Sequence, residues 1–333
     1  MNDEDLYEKL SERILTKGSR FIPDLFRMIV DENEARIMLA TPGTAEELAE
    51  KLGYSEEEMQ GKLDLLFHKG LVFKAAKPQG TLYRMCRDIT QFHDATILWD
   101  GVTREYLDLW KRQTQEELPD YINMVSMILP RPFTRVVPVN QPMEARSGIL
   151  AYEDVEKIVR DAGRLAVANC TCRLVDGKCG KPLEVCLQLG KAADYSVDRG
   201  SGRELSVDEA MEIIRMSEEA GLVHVTMNKA YGSHIICNCC EDCCVAFGLP
   251  IPATIIVDPS RFLAVVDEEA CSGCGDCVDR CFFDAVSLEE RDGEEVSVIV
   301  AEKCMGCGLC QVACPEDAIA MQAVREESFI PNF

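Results

Sequence analysis

The middle of the chain combines apolar residues at helical spacing with short continuous apolar runs. Residues 155–159 place apolar side chains on one face of a predicted helix, and the apolar run 165–168 predicts a strand directly after it. A second helix is predicted over 206–220, with Ser206 as its N-cap, and the run LVHVTMN predicts the next strand. The segment LEVCLQLG is predicted as a short helix. This order of elements predicts a small α/β layer.

The N-terminal part of the chain predicts three helices and a hairpin. The first helix is expected over 24–40, and the second starts at Thr44, where Glu47 completes a capping box. A third is expected over 55–70, and two short strands over 71–85 flank the turn Pro-Gln-Gly. This order resembles a winged helix-turn-helix domain.

The third of these helices carries four acidic and two basic side chains, a net charge of −2. A helix that enters the major groove of DNA usually brings Arg, Lys, Asn or Gln near its N-terminus, whereas glutamates would meet phosphates. We therefore expect the winged-helix-like module, residues 1–90, to contact protein. DNA binding remains the alternative for this module.

A connector separates this module from the middle of the chain. Residues 91–145 are predicted as a helical connector that ends in the Pro-rich stretch LPRPFTRVVPVNQP, residues 129–142. We expect that stretch to run over the surface as a linker. A cysteine-rich α/β module then covers 146–258, and a third module covers 259–333. The predicted fold class is therefore a multidomain α+β protein.

The cysteine content and the net charge of the chain add information that the pattern of elements does not contain. The chain has 333 residues, 18 cysteines and a net charge of −23. It has no uninterrupted apolar run of about 18 residues, so no membrane span is expected. The N-terminal MNDEDLYEKL has no basic-then-apolar signal, and we expect a cytoplasmic protein. In a reducing compartment, clustered thiols indicate metal ligands rather than disulfides.

The strongest motif is an internal repeat near the C-terminus. The segments ACSGCGDCVDRCFFDAVSL, from Ala270, and KCMGCGLCQVACPEDAIAM, from Lys303, align without a gap, so each cysteine of the first recurs 33 positions later. Both segments contain C-x2-C-x2-C-x3-C, the spacing that holds iron–sulfur clusters. Zinc held by C-x2-C pairs is the alternative, but two identical four-cysteine runs are much more specific.

Residues 261–322 closely resemble the bacterial-type ferredoxin with two [4Fe-4S] clusters. The resemblance implies a ferredoxin-like dicluster domain over 259–333. One departure is visible, since Cys281 is followed by Phe282 where the second copy has the expected proline. The implied ligands of the first cluster are Cys271, Cys274, Cys277 and Cys314, and those of the second are Cys304, Cys307, Cys310 and Cys281.

Nine further cysteines lie in the middle module. We expect two groups at the carboxyl ends of neighbouring strands, where they build a third iron–sulfur cluster or, alternatively, a zinc site. Arg173 is a candidate donor to the sulfurs. Not all nine are expected to ligate, because adjacent cysteines rarely serve one metal together. The upstream group is Cys170, Cys172, Cys179 and Cys186, and the downstream group is Cys237, Cys239, Cys240, Cys243 and Cys244.

Together these features predict an iron–sulfur protein that passes low-potential electrons as a subunit or partner of an anaerobic oxidoreductase complex. The acidic charge favours redox partner proteins with basic docking surfaces and disfavours nucleic acid. One alternative is an iron–sulfur redox-sensing transcriptional regulator, and the other is a redox enzyme whose middle metal centre binds substrate. For that enzyme, His224, His234, Glu241 or Asp242 could act as acid or base.

Overall fold

The computed structural model describes residues 5–139, 150, 153–291 and 293–332. The chain divides into two compact units. The first comprises Met1–Leu118, Leu174–Asp176 and Tyr195–Ser201, and the second comprises Pro119–Arg173, Gly177–Asp194 and Gly202–Phe333. The four-part division expected from the sequence stays a prediction, and its boundary at 145/146 lies outside the described residues.

The first unit consists of helices and one hairpin. In its core Phe92 stacks on Phe26 with ring centroids 4.1 Å apart, and the fully buried Trp110 packs on Phe92 at 5.2 Å. Its elements before residue 118 are α1 (Leu6–Arg13), α2 (Ile22–Ile29), α3 (Glu32–Ala40), α4 (Ala45–Leu52), α5 (Glu56–His68), β1 (Val72–Lys77), β2 (Gly80–Met85), α6 (Ile89–Thr96) and α7 (Arg104–Glu116).

The segment expected to form one helix over 24–40 forms two, α2 and α3. Val30 is extended between them, and the Asp31 side chain accepts a hydrogen bond from the Glu34 backbone while Glu34 reaches back to the Asp31 backbone. This capping box starts a new helix and ends the continuous one. The capping box of α4 and the antiparallel pairing of β1 with β2 are as predicted, and α5 begins with a further capping box between Ser55 and Glu58. The winged-helix assignment itself stays a prediction.

The second unit contains a seven-stranded sheet in the order β6-β4-β5-β8-β7-β3-β9. Helix α12 packs against β4, β5 and α9, so the core lies between helix and sheet. The elements that lie wholly or partly in this unit are α8 (Leu118–Ser126), β3 (Thr134–Val137), α9 (Val155–Asp161), β4 (Leu165–Asn169), α10 (Thr171–Asp176), β5 (Glu184–Leu189), α11 (Lys191–Asp198), β6 (Arg203–Leu205), α12 (Val207–Glu219), β7 (Val223–Met227), β8 (Ile235–Cys239), the 3-10 turn Ala253–Ile255 and β9 (Val257–Asp258).

The Pro-rich stretch is exposed or half-buried over 129–133, as predicted, but from Thr134 onward it is not a surface linker. It supplies β3, which pairs antiparallel with β7 and parallel with β9. Val136 and Val137 are fully buried, because these β-branched side chains fit a strand covered on both sides. Residues 140–142 of the predicted linker lie outside the described residues.

The helix predicted for LEVCLQLG is also wrong, since this segment forms β5. Val185, Leu187 and Leu189 are buried at a period of two, the signature of a half-buried strand. The sequence did not predict β8 either, because its residues belong to the cysteine-rich segment. The strands β4 and β7 are as predicted.

The rest of the second unit repeats with the same 33-residue offset as the sequence. Strands β10 and β12 are equivalent in the repeat, as are β11 and β13. Strand β10 pairs antiparallel with β13, and β11 pairs antiparallel with β12. Each small sheet therefore contains one strand from each copy. Arg280 at the end of α13 donates to the carbonyl oxygens of Glu218 and Glu219 at the end of α12. The elements are β10 (Phe262–Val266), α13 (Asp276–Arg280), β11 (Val286–Arg291), β12 (Glu294–Ile299), α14 (Leu309–Ala313), β13 (Ile319–Ala323) and the 3-10 turn Glu327–Phe329.

Candidate metal centres

Four cysteines from both copies of the repeat line one cavity. Cys281 follows α13 in the first copy, whereas Cys304, Cys307 and Cys310 belong to the loop and helix α14 of the second. The cavity encloses about 390 Å³, part of it open to solvent, and its other walls are mostly apolar, including Phe282, Phe283, Ile299, Met305 and Leu309. The fold therefore brings together the four thiols that the ferredoxin resemblance assigns to one cluster.

Two cysteines of the other predicted set contact Ser297 on β12. The Ser297 backbone N–H donates to Cys271 Sγ at 3.4 Å, and its hydroxyl lies 3.1 Å from Cys277 Sγ. Cys314 accepts from the Ala318 backbone N–H at 3.3 Å and borders the same small apolar core as Cys277. Cys274 is exposed. Hydrogen bonds of this kind to cluster sulfurs are one way in which proteins set the potential. No pattern in the sequence indicated Ser297.

The cysteine loops also have the backbone that a bound cluster requires. Gly273 and its repeat equivalent Gly306 have positive φ angles of 67° and 66°. A Cβ added there would lie 2.3 Å from the Glu295 carbonyl oxygen and 2.2 Å from the Phe262 carbonyl oxygen. Only glycine fits both constraints, so each loop can close tightly against its neighbouring strand.

Burial makes the cavity thiols poor acids without a metal. It is the main cause that raises the pKa of Cys307 to about 12. The pKa of Cys310 is raised too, first by burial and then by the neighbouring charges of Cys307, Cys304 and Cys281. Thiolate is the form that binds metal, and a cation would offset both penalties. The donor set therefore fits an iron–sulfur cluster.

The middle cysteines gather at one edge of the seven-stranded sheet. Strands β4 and β8 both run antiparallel to β5, so they are parallel to each other and end at the same edge. Cys170 and Cys172 follow β4, while Cys240 follows β8. The sequence analysis expected the two cysteine groups at the ends of neighbouring strands, with LVHVTMN as the second of these strands. Instead β5 lies between the two strands, and the unpredicted β8 leads into the cysteine cluster.

Three of these thiols converge on one point. The sulfurs of Cys179, Cys240 and Cys243 all lie within 4.8 Å of one another. The Cys243 backbone N–H donates to Cys240 Sγ at 3.4 Å, which holds the C-x2-C turn in place. We call these three residues the Cys179 group. Their chemistry and spacing fit a soft metal.

Arg173 is buried beside the Cys179 group, with 4% of its surface exposed. Its guanidinium donates to the carbonyl oxygens of Pro182 at 2.8 Å and Asn238 at 2.6 Å, and among the described residues no carboxylate pairs with it. Burial alone would lower its pKa, but the charges of Cys170 and Cys240 raise it above the usual value. The sequence suggested Arg173 but not Asn238.

Other middle cysteines interact with one another. The neighbouring thiols of Cys172 and Cys239 lower the pKa of Cys244, while the pKa of Cys172 is raised. Cys239 also interacts with Cys237. Cys186 lies apart in sequence on β5, where Gln188 Nε2 donates to its sulfur at 3.2 Å.

Two of the predicted acid–base candidates are engaged elsewhere. His224 is buried, with Nδ1 2.5 Å from Asn238 Oδ1 and Nε2 3.1 Å from Glu218 Oε1. Glu241 pairs with Lys181 at 3.3 Å. His234 accepts a hydrogen bond at its backbone oxygen from the Leu189 N–H. His224 and Glu241 therefore make structural contacts through their side chains, and His234 makes one through its backbone oxygen.

Comparison with known families gives one result for this chain. Residues 264–321 match the family described as a 4Fe-4S dicluster domain. The match covers both cysteine runs and confirms the predicted resemblance near the C-terminus. It indicates iron–sulfur electron transfer. A search of curated proteins finds no significant match. Among the described residues, no helix is long and apolar enough to cross a membrane.

Proposed function

We propose that this chain is a low-potential electron carrier with two [4Fe-4S] clusters in residues 264–321. Cys271, Cys274, Cys277 and Cys314 hold one cluster, and Cys304, Cys307, Cys310 and Cys281 hold the other. The observation that carries the proposal is the cavity in which Cys281 of one copy meets three cysteines of the other. This exchange of the fourth ligand is what the dicluster spacing requires.

The spacing of the sulfurs supports clusters over single ions. Among the described residues, no three of the eight ferredoxin cysteines have sulfurs within 4.8 Å of one another. Four thiolates on one tetrahedral zinc ion lie only about 3.8 Å apart, since each Zn–S bond is about 2.3 Å. A cubane separates its thiolates further because each binds a different iron atom.

When bound, the clusters supply one-electron oxidation and reduction. The chain's own residues bind them, exclude water and set their electrostatic surroundings. The Ser297 backbone N–H donates to the Cys271 sulfur of the first set, and apolar side chains line the cavity of the second. Residues 261–330 carry 16 acidic and 5 basic side chains, a net of −11. This charge lowers the potential and orients a basic partner, such as a subunit of an anaerobic oxidoreductase.

The Cys179 group is proposed as a further metal centre. The sequence predicts a third iron–sulfur cluster there, with zinc as the alternative. The close approach of the three sulfurs supports a single tetrahedral ion such as zinc. Arg173 then neutralises part of the thiolate charge from a buried position. Iron and zinc contents of the purified chain distinguish the two.

The test is anaerobic metal analysis combined with electron paramagnetic resonance of the dithionite-reduced full chain. We expect about eight iron atoms in the ferredoxin part, and Cys277→Ser and Cys307→Ser should each remove about four of them. Cys86→Ala is the matched control, because this buried thiol lies in the other unit. A chain that binds zinc at these positions and gives no low-potential signal would contradict the proposal.

A further inference from the structure

A side chain takes over from the backbone where β8 approaches the Cys179 group. The backbone register between β5 and β8 covers the first two residues of β8. Further along, the Asn238 side chain continues the connection, because its Nδ2 donates to the Val185 carbonyl oxygen of β5 at 2.6 Å. Cys240 follows two residues later. The Asn238 amide therefore fixes the end of β8 from which the chain enters the Cys179 group.

Arg173 connects the same point to the loop that carries Cys179. Its guanidinium donates to the Asn238 carbonyl oxygen at 2.6 Å and to the Pro182 carbonyl oxygen at 2.8 Å. Pro182 lies three residues after Cys179, and Asn238 lies two residues before Cys240. The two segments that supply the sulfurs of the Cys179 group are thus held together through Asn238.

The orientation of the Asn238 amide decides where one proton of His224 lies. His224 is opposite Asn238 on β7 and 1% exposed, and its Nδ1 lies 2.5 Å from Asn238 Oδ1. A reversed amide would place Oδ1 against the Val185 carbonyl oxygen, two acceptors at hydrogen-bond distance with no proton between them. The amide oxygen accepts only, so Nδ1 carries a proton.

His224 makes its second side-chain contact with Glu218. Its Nε2 lies 3.1 Å from Glu218 Oε1, and the Glu218 side chain is 10% exposed. In an imidazole protonated only at Nδ1, Nε2 is an acceptor, and so is a carboxylate oxygen. The contact therefore requires one further proton, on either of the two atoms. With that proton the pair has no net charge, which suits its burial in the core.

We propose that His224 is a positioning residue for the Cys179 group, and that the proton it shares with Glu218 holds it in that role. Nδ1 of His224 orients the Asn238 amide, and the Asn238 backbone oxygen receives Arg173. Partners that orient a metal site in this way commonly change metal affinity about 10–100-fold. The inference rests on the proposed function for the metal at the Cys179 group.

The proton arrangement is tested on the unsubstituted full-length chain, where no substitution can disturb folding. Nitrogen-15 spectra of the histidine side chains distinguish protonated from unprotonated ring nitrogens, and the His224 signals are those that disappear in His224→Leu. We expect Nδ1 of His224 to be protonated. In Glu218→Gln the amide donates to Nε2, so Nε2 should be unprotonated while Nδ1 keeps its proton. An unprotonated Nδ1 in the unsubstituted chain would overturn the proposal.

Positioning is tested by the resistance of the Cys179-group metal to a chelator. This metal is the zinc or iron that Cys243→Ser lacks, and the measured quantity is the EDTA concentration that removes half of it under anaerobic conditions. Glu218→Gln should resemble the unsubstituted chain, since the hydrogen bond to Nε2 is retained. The double variant Glu218→Gln/His224→Leu should need about 10–100-fold less EDTA. The Gln background ensures that no carboxylate is left buried and unpaired.

Thr226→Val in the same Glu218→Gln background is the matched control. Thr226 lies two residues after His224 on β7, is fully buried and donates to the Ile235 carbonyl oxygen at the start of β8. Its replacement also removes a side-chain bond between β7 and β8, but at the end away from Cys240. An equal loss of EDTA resistance in both double variants would overturn the proposal, because it would show general loosening of the sheet. Unchanged resistance after loss of His224 would overturn it too.

Failure of the proposed function has a different signature. If the unsubstituted chain and Cys243→Ser contain the same metal, the Cys179 group binds none, and the proposed centre and the positioning role are both wrong. If Cys243→Ser loses metal and the loss of His224 has no effect, the positioning role alone is wrong. The nitrogen spectrum decides the proton arrangement in either case.

Discussion

The Glu153 carboxylate holds the Arg261 guanidinium through two hydrogen bonds, of 2.7 and 2.9 Å. Their side chains are 1% and 5% exposed, so this is a buried, bidentate ion pair. It ties a residue two positions before the start of α9 to the residue that precedes β10. The ion pair therefore joins the α/β part of the second unit to its ferredoxin part.

Breaking this pair should destabilise the second unit strongly. Glu153→Gln leaves the Arg261 charge buried without its partner, and we expect a loss of roughly 3–5 kcal/mol in unfolding free energy. Glu268→Gln is the control, since Glu268 pairs with Arg291 at the surface, and it should cost below about 1 kcal/mol. Anaerobic urea denaturation measures both. Equal, small effects would contradict the buried-pair account.

Closing the second cysteine loop should depend on Gly306. Gly306→Ala places a methyl group 2.2 Å from the Phe262 carbonyl oxygen in a backbone with φ of 66°. We expect loss of about half of the dicluster iron. Gly293→Ala separates the two causes, because φ is 88° there but nothing lies within 4 Å. That control should cost about 1 kcal/mol and retain all iron. Full iron in Gly306→Ala would mean that the loop can widen without losing its cluster.

Arg173 should be required for metal at the Cys179 group. Arg173→Gln removes the positive counter-charge and the two hydrogen bonds to Pro182 and Asn238, each of which contributes roughly 1.5–3 kcal/mol. We expect the metal of the Cys179 group to fall well below one atom per chain while the dicluster iron stays. The control Arg164→Gln breaks exposed pairs with Asp194 and Glu204 and should leave metal content unchanged. Normal metal content in Arg173→Gln would assign Arg173 a purely structural role.

Cys86 should resist alkylation in the folded protein. Burial raises its pKa to about 12, so at pH 8 its thiolate fraction is on the order of a thousandfold lower than that of an exposed thiol. Because the folded pKa is raised, the protonated form is stable until the pH approaches 12. Iodoacetamide labelling with peptide mass spectrometry measures the rate, and labelling in urea is the reference. Rapid modification of Cys86 under native conditions would show that its site opens readily.

Electron transfer to a basic partner should weaken with salt. The net charge of −11 over residues 261–330 steers a positive surface at low ionic strength, and the screening length shrinks to about 8 Å at physiological salt. Stopped-flow reduction of a basic redox protein by the reduced chain should therefore slow as salt rises. An acidic acceptor of similar potential is the control and should show no such slowing. The same rate for the basic acceptor at both salts would leave the charge as a solvated surface only.

Sequence patterns located the ferredoxin part well, because cysteine spacing, glycines and the 33-residue repeat are local features. The capping boxes of Thr44 and Ser206 were also predicted correctly, because they too are local features. Errors arose where tertiary pairing decides the outcome. LEVCLQLG became β5 between β4 and β8, and the Pro-rich stretch became β3 between β7 and β9. The sequence could not predict which of the middle thiols converge for the same reason, because that depends on where β8 ends.

The motif departure at Phe282 acquires a meaning from its neighbours. Phe247, three residues after Cys244, lies against Phe282 and Phe283 with ring centroids 5.6 and 5.4 Å apart. Phe282 and Phe283 also line the cavity of Cys281, so these rings belong at once to the middle core and to the cluster wall. A proline at position 282 could not supply this aromatic surface.

A ferredoxin part cut from this chain would expose those rings to water, and an ordinary ferredoxin spliced in its place would leave Phe247 without its partners. Neither the α/β part nor the ferredoxin part can therefore be replaced independently of the other. We expect substitutions at 247, 282 and 283 to co-vary among related sequences, because each ring packs against the other two.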